Sequence, residues 1–196
     1  MMNGDRPGVR PYVAAILAAV IQTAILGYMV ESRASILRSG AEVRLLTVPV
    51  DPRDFLRGDY VVLSYGISTI DRAILTGDAP QSVGRHPLAV RLEPAPDGLW
   101  AATEASFADL PAKPGSVVVR TLPFEYYPGP DGAPPEQMSV SYGIERYYVP
   151  EGEGRALETA RNRQGVQIVA RVSQAGRMQI GGILVDGVPA YGEPLY

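Results

Sequence analysis

The sequence predicts a mainly β protein, in which one N-terminal transmembrane helix precedes a single barrel- or sandwich-like β domain with two short helices. Three observations lead to this prediction. An uncharged apolar run stands near the N-terminus, short alternating stretches follow between turn signals, and one tetrapeptide occurs twice. High contents of Gly (21 residues) and Pro (18 residues) also favour short strands and turns over long helices.

The apolar run occupies residues 13–30, after a short tail over residues 1–12. Eighteen helical residues span about 27 Å, which is close to the roughly 30 Å of a bilayer's hydrocarbon core. We therefore predict a single transmembrane anchor that contacts the lipid bilayer. The alternative is a cleaved signal peptide, because Ser32-Arg33-Ala34 resembles a cleavage site, but the run is longer than the usual apolar region of about 7 to 15 residues.

Charge around this run does not fix its orientation, because Arg6 and Arg10 before it are balanced by Arg33 and Arg38 after it. A short tail ahead of a first span is typical of a signal-anchor. We therefore expect the domain to lie outside the cytoplasm, in the periplasm or on the outer face of the inner membrane. Residues 31–41 are predicted as a juxtamembrane linker, whose first part can prolong the helix.

The β domain is predicted over residues 42–190, where apolar alternation and turn residues mark the elements. Asp97-Gly98 is expected to close one hairpin, Gly181-Gly182 permits a β-bulge in another, and Asp186-Gly187 is expected to turn the chain for a final time. The predicted elements are strands over 43–50, 61–65, 117–121 and 138–142, hairpins over 88–106 and 166–185, and short helices over 69–76 and 155–163.

Residues 58–65, GDYVVLSY, form the stretch around which the domain is organised. They fit the GDYxxLxY signature letter for letter, and the chain resembles the uncharacterised family of bacterial membrane-anchored proteins that carries this signature. A similar aromatic and PEGxG-like stretch at 145–154 extends the resemblance over roughly residues 42–188. The resemblance implies a multi-pass membrane protein as a partner, because members of the family are encoded near such proteins.

Alternation along this motif places Val61, Leu63 and Tyr65 on one face of a strand. We expect Leu63 and Tyr65 to lie in the core, and Tyr60 to lie at the start of the strand beside a charged loop. The residues predicted to hold the motif's structure are Gly58, Asp59, Tyr60, Leu63 and Tyr65.

The second half of the domain echoes the first. Ser64-Tyr65-Gly66-Ile67 recurs as Ser141-Tyr142-Gly143-Ile144, 77 residues later, and the neighbouring apolar positions keep the same parity. We therefore predict an internal duplication with repeats over 43–120 and 117–190, in which Leu63 and Val140 both face the core.

Two charged stretches are the candidate binding sites. Each is either a self-satisfied loop, in which carboxylates accept backbone N–H bonds, or a contact surface for a ligand or partner. Their candidate residues are Arg53, Asp54, Arg57, Asp59 and Tyr60 before and at the start of the motif strand, and Glu145, Tyr147, Glu151 and Glu153 after the second tetrapeptide.

Composition argues against several classes of function. The absence of Cys removes disulfides, thiolate metal sites and thiol catalysis, and the single histidine, His86, lies in a predicted loop without a catalytic signature. A net charge of -3 with scattered basic residues gives no footprint for nucleic acid. We therefore predict no cofactor, no metal site, no catalytic residues and no nucleic-acid partner.

The leading hypothesis is a membrane-anchored, extracytoplasmic binding or accessory module that works with a membrane-protein partner. It rests on the anchor, the lack of a catalytic signature and the family resemblance. The alternative is a carboxylate-dependent hydrolase that acts on envelope glycans or peptides, with loop carboxylates as its acid and base.

Overall fold

The fold is mainly β, as the sequence predicts, with one long N-terminal helix. The structure, a computed structural model of the chain, describes residues 11–49, 60–129, 131–148, 160 and 165–192, with only the backbone of Tyr60. In chain order the elements are α1 (Pro11–Ser39), β1 (Ala41–Val48), β2 (Tyr60–Val62), β3 (Ser64–Tyr65), β4 (Thr69–Asp71), β5 (Gly84–His86), β6 (Ala89–Pro94), β7 (Trp100–Ser106), β8 (Val117–Arg120), β9 (Phe124–Tyr126), β10 (Gln137–Ser139), β11 (Arg146–Tyr148), β12 (Val166–Val172), β13 (Met178–Val185) and β14 (Val188–Gly192).

The strands form sheets that enclose a shared hydrophobic core. One sheet has the strand order β14-β13-β12-β1-β3, another has the order β7-β6-β8, and two-stranded ribbons join β2 to β11, β4 to β10 and β5 to β9. Apolar residues from all these regions belong to a single buried cluster, which includes Leu45, Ile70, Leu92 and Ile168. Because the cluster is continuous, the described strands build one β domain.

Helix α1 has two sections with different surroundings. Its first section is apolar on every side and fully outside the domain, so α1 is long and apolar enough to cross a membrane. Its last section continues through the stretch predicted as a linker, as far as Ser39. There Ala34, Ile36 and Leu37 are buried, and this end of the helix contacts β12 and β13. The stretch predicted as a linker is therefore helix that packs on the sheet.

Gly40 lets the helix pass directly into β1. Its backbone N–H donates to the carbonyl oxygen of Ile36 (2.8 Å), which continues the helical hydrogen bonding by one residue. A Cβ atom at Gly40 would lie 2.5 Å from that same oxygen, so a side chain does not fit. The Arg171 guanidinium donates to the Gly40 carbonyl oxygen (3.2 Å) and pairs with Glu42 (3.0 Å). These contacts tie the helix end to the sheet.

Both predicted hairpins are present. Strands β6 and β7 are joined through a turn at Asp97-Gly98, where Gly98 has a φ of +78°. Strands β12 and β13 carry a β-bulge at Gly181, because Val169 pairs with Gly182 while Ala170 pairs with Ile180. The predicted final turn at Asp186-Gly187 joins β13 to β14, and both of its residues have positive φ.

The predicted short helix over 69–76 is wrong. Residues 69–71 form strand β4 instead, followed by one 3₁₀ turn over Arg72–Ile74 that the Asp71 side chain caps by accepting from the Ala73 N–H (2.8 Å). Ile70 is fully buried in a pair with Met138 of β10. A long-range strand pairing overrode the local helical pattern. Of the second predicted helix, 155–163, only residue 160 is described, and it is helical and buried.

The strand pairings of one half have counterparts in the other. Val61 of β2 pairs with Tyr147 of β11, and 77 residues along, Met138 of β10 pairs with Ile70 of β4. The opening strand of each half also joins the hairpin of the opposite half, because β1 pairs with β12 and β8 pairs with β6. The two halves are therefore interleaved. Leu63 and Val140 are both buried, as the repeat requires, while the duplication itself stays a prediction.

Candidate functional site

The described residues that adjoin the two predicted binding stretches lie next to each other. Tyr60, which begins β2 after the first charged loop, pairs with Tyr148, which ends β11 before the second. The antiparallel register therefore brings the start of β2 and the end of β11 together. The predicted site residues that lie outside the described residues are Arg53, Asp54, Arg57, Gly58, Asp59, Glu151 and Glu153, and Tyr60 is described by its backbone only.

Glu145 belongs to the frame of the domain. Its carboxylate accepts from the backbone N–H groups of Tyr142 and Gly143, the latter at 2.9 Å. Its carbonyl oxygen accepts from the N–H of Leu63 in the motif strand (2.8 Å). The side chain therefore caps the turn after the second tetrapeptide, which supports the self-satisfied interpretation for this member of the predicted site.

Tyr147 is also part of the frame, because it is 8% exposed and belongs to the core. Its ring lies 6.2 Å from the ring of Tyr191 on β14. The neighbouring Tyr148 is 72% exposed and presents its ring at the surface instead. Because side chains alternate between the two faces of a strand, the sequence alone could have identified Tyr148 as the outward-facing tyrosine of the β2–β11 ribbon.

The two tetrapeptide tyrosines hold the halves together by a reciprocal pair of hydrogen bonds. The Tyr65 hydroxyl donates to the carbonyl oxygen of Ile144, and the Tyr142 hydroxyl donates to that of Ile67 (2.7 Å). Burial, with a smaller contribution from the negative charge of Glu145, raises the pKa of both tyrosines well above the ordinary value. Both hydroxyls therefore stay protonated and act as donors at physiological pH.

His86 packs among aromatic rings on strand β5. Its ring meets the rings of Phe107 (6.1 Å) and Tyr126 (6.2 Å) edge to face. The hydroxyl of Tyr126 is buried without a hydrogen-bond partner, and burial raises its pKa. Across the described ranges, no group of three or more His, Cys, Asp or Glu residues is placed to hold a metal ion. His86 is thus a packing residue in this cluster.

A groove of about 1030 Å³ lies beside the end of α1. We call it the helix-side groove. The residues that line the groove come from segments far apart in the chain, so no local sequence pattern predicts it. Its walls are the last turns of α1 with Ala41, the loop between β7 and β8, the start of β8, and the turn between β12 and β13, and its charged lining residues are Asp109, Lys113, Arg120 and Arg177.

The charged residues of the helix-side groove differ in their partners. Arg120 pairs with Asp109 across the groove wall, and the Lys113 ammonium pairs with Glu93 (2.6 Å). The Arg177 guanidinium has no ion-pair or hydrogen-bond partner among the residues that the structure describes. Arg177 is therefore the groove cation that is available to a ligand.

A buried arginine fixes the loop that forms one groove wall. Arg91 on β6 is 3% exposed, and its guanidinium donates to the Glu104 carboxylate (2.7 Å), the Ser116 hydroxyl (3.0 Å) and the Pro111 carbonyl oxygen (2.8 Å). The hydrogen bond from Arg91 lowers the pKa of Glu104. The bonds to Ser116 and Pro111 hold the loop between β7 and β8 in a single geometry, and the bond to Glu104 ties the same planar group to β7.

Comparison with models of protein families gives a match that includes the motif strand and covers most of the chain. The model of the GDYXXLXY protein family matches residues 22–183, which begins within α1 and reaches strand β13. No curated protein and no solved structure matches the chain. Because the match extends well beyond the signature itself, the chain belongs to the GDYXXLXY family.

Proposed function

We propose that this protein is a membrane-anchored, extracytoplasmic binding or accessory module that is held at the membrane surface and works with a membrane-protein partner. One observation carries the proposal. Helix α1 passes from an exposed apolar section into a section packed on the β domain, without a flexible linker between them.

The exposed section supports anchoring because the described part of the domain does not cover its apolar side chains. Ile16 and Leu26 are each 62% exposed, and the apolar residues between them point in every direction around the helix. Leaving such side chains in water costs about 25 cal/mol per Å² of apolar surface. A helix that is apolar all round is stable in a protein core or in lipid, and here the domain does not cover it.

The packed section restricts where the domain can act. Ala34, Ile36 and Leu37 are buried, and Gly40 separates the helix from β1 by a single residue. An accessory domain that searched for partners far from the membrane would need a long flexible tether. A domain docked on its own anchor stays close to the bilayer, where another membrane protein is the nearest class of partner.

Fractionation tests the anchor and its orientation. We expect the full chain to remain in the membrane pellet after carbonate extraction at alkaline pH, and protease added outside the cytoplasmic membrane to digest the domain. A soluble mature protein that begins near Ser35 would contradict the anchor, and a domain protected from protease until the membrane is opened would reverse the orientation.

Co-purification in a mild detergent tests the partner. Arg57→Ala, in the charged loop before the motif strand, is expected to lose the partner without lowering the melting temperature. Arg85→Ala is the matched control, because Arg85 is an exposed arginine on strand β5 that pairs with Glu125 on β9. If the Arg57 variant retained every partner, this loop would not be part of the binding surface.

A second variant tests whether the partner binds the helix or the domain. Replacing residues 13–30 with an unrelated transmembrane sequence keeps the anchor and the docked helix end. We expect the partner to be retained, because the proposal assigns recognition to the domain. Loss of the partner from this variant alone would transfer recognition to the membrane-spanning helix.

The hydrolase alternative stays a prediction. Its candidate carboxylates, which are Asp51, Asp54, Asp59, Glu151 and Glu153, lie outside the described residues. Incubation of the purified chain with envelope glycans and peptides discriminates the two hypotheses. Turnover that disappears in Asp59→Asn or Glu151→Gln would favour the hydrolase over the binding module.

A further inference from the structure

We propose that the helix-side groove binds the phosphate of an anionic phospholipid headgroup, with Arg177 as its principal ligand-binding residue. The inference rests on the proposed membrane anchoring and adds a lipid-binding site to it. Three features of the groove carry it, namely its charge, its position along the anchor helix and its fixed shape.

The groove is cationic in an acidic protein. Three of its lining side chains are basic and one is acidic. Because Lys113 pairs with Glu93 and Arg120 with Asp109, the positive charge of Arg177 is left without a counter-charge among the described residues, in a chain whose net charge is -3. Arg177 has no partner among the described residues, and Asp109, which pairs with Arg120, is largely exposed. Exposed ion pairs contribute little, so Arg120 can exchange its partner for a phosphate at small cost. Arginine also matches the geometry of phosphate oxygens through its planar fork of donors.

The position along α1 places the near end of the groove at the outer boundary of the lipid headgroup layer. Ser35 and Ser39 of α1 line it, five and nine residues beyond the end of the apolar run at Val30. At 1.5 Å per residue these positions stand about 7.5 and 13.5 Å past the hydrocarbon edge. The headgroup layer of each leaflet is roughly 5 to 7.5 Å thick, so the groove begins at its outer boundary and extends away from the bilayer. Arg33, which is exposed on the same helix, lies within that layer.

The shape of the groove is fixed before any ligand binds. The docked helix end forms one wall, and the loop held by the two hydrogen bonds from buried Arg91 to Ser116 and Pro111 forms another. The N–H of Arg120 donates to the Gly176 carbonyl oxygen (2.9 Å), which joins the wall at β8 to the turn that precedes Arg177. A site whose walls are already ordered spends little binding energy on ordering them.

Lipid titration of the full chain tests the proposal. The chain is purified in a neutral detergent, stripped of lipid and titrated with dioctanoyl phosphatidylglycerol or dioctanoyl phosphatidylcholine, and native mass spectrometry counts the bound lipids. We expect one saturable site that prefers phosphatidylglycerol. Arg177→Gln is expected to weaken that site about tenfold, which corresponds to the loss of one charge-assisted hydrogen bond.

The matched control is Arg85→Gln, which removes the same charge from an exposed arginine on β5, outside the groove. It is expected to bind phosphatidylglycerol like the wild-type chain, and both variants should melt at the wild-type temperature. Equal affinities for the two variants, or no preference over phosphatidylcholine, would overturn the proposal. Complete displacement by millimolar inorganic phosphate would overturn the lipid assignment and leave a site for a free anion.

Failure of the groove and failure of the anchor give different results. A missing anchor leaves the wild-type chain in the soluble fraction, whatever the titration shows. A missing lipid site leaves the chain in the membrane pellet, with Arg177→Gln and Arg85→Gln binding phosphatidylglycerol alike.

Discussion

The sheet β7-β6-β8 and the sheet segment β13-β12-β1 have the same pairing plan but different surroundings. Each contains a hairpin with a β-bulge at the equivalent position and a third strand supplied by the other half. At the bulge the first sheet has Thr103, whereas the second has Gly181, against which Leu37 of α1 packs within about 4 Å of where a Cβ would stand. The second sheet thus accommodates the helix, and the first faces outward there.

The two sheets also differ in the pair of residues that face each other beside the bulge. Arg91 and Glu104 are directly opposite each other on β6 and β7, and the corresponding opposed pair on β12 and β13 is Val169 and Gly182. Backbone pairing is therefore preserved where side-chain chemistry is not. One strand framework therefore carries a buried arginine in an ion pair on one sheet and a packed helix on the other, because backbone hydrogen bonds place few demands on side chains that point away from the core.

The largest expected effect comes from the matched core positions of the motif strands. Leu63→Ala should lower the free energy of unfolding by about 2 to 5 kcal/mol, because it removes buried methyl groups and leaves a cavity. Val140→Ala should cost less, since it removes one carbon fewer. Thermal unfolding of the full chain in detergent measures both. A Leu63 variant as stable as the wild type would contradict the burial of the motif strand.

The reciprocal tyrosines should cost similar amounts when each is changed separately. Tyr65→Phe and Tyr142→Phe each remove one hydroxyl and leave a buried carbonyl oxygen without its donor, at about 1 to 3 kcal/mol. Chemical denaturation of the two variants is the measurement. If one variant were neutral and the other strongly destabilised, the two halves would not be equivalent at this junction.

The same tyrosines predict how stability changes at alkaline pH. Their pKa values are raised in the folded state, so their contribution is complete below the unfolded pKa of about 10 and is lost as the pH rises towards the folded values. The double Tyr65→Phe, Tyr142→Phe variant should show a flatter alkaline limb above pH of about 10. An unchanged alkaline limb would mean that other groups set it.

The third effect is confined to the first sheet. Arg91→Met should lower stability by about 1 to 2 kcal/mol, because Ser116 and Pro111 lose their donor. The pKa of Glu104 is lowered in the folded state, so its contribution is present above its unfolded pKa and is lost as the pH falls through the folded pKa.

The acid limb of the stability curve should therefore become flatter in Arg91→Met and in Glu104→Gln. Val169→Met, at the matched position of the second sheet, should leave the acid limb unchanged. Urea denaturation at a series of pH values below about 5 distinguishes these outcomes, and an acid limb that moved equally in all three variants would contradict an ion pair specific to the first sheet.

The smallest effect is expected at the bulge glycine. A Cβ at Gly181 would meet its nearest atom, the Val169 carbonyl oxygen, at an ordinary contact distance of 3.5 Å, so Gly181→Ala should change stability by less than about 0.5 kcal/mol. Gly40→Ala is the contrasting variant, since its Cβ would lie 2.5 Å from a backbone oxygen and must displace the helix end. Melting curves of the two variants compare the tolerance of the bulge with that of the junction.

Local patterns in the sequence determined the long apolar helix, the hairpins and the inward faces of the motif strands. An uncharged run of eighteen residues, the alternation around Leu63 and the turn at Asp97-Gly98 each depend on neighbours within a few positions. The chain therefore specified these features without reference to the rest of the fold. The recurring tetrapeptide also indicated that Leu63 and Val140 share an environment, and both are buried.

The tertiary structure alone decided which strands pair, where the end of α1 packs and which side chains line the helix-side groove. Ile70 is a strand residue because Met138 pairs with it from a distant segment, and the helix-side groove exists because α1, the loop before β8 and the turn before Arg177 converge. Such contacts join residues tens of positions apart, whose proximity follows from burying one shared core. No local propensity contains that information, since it arises only when all the segments pack together.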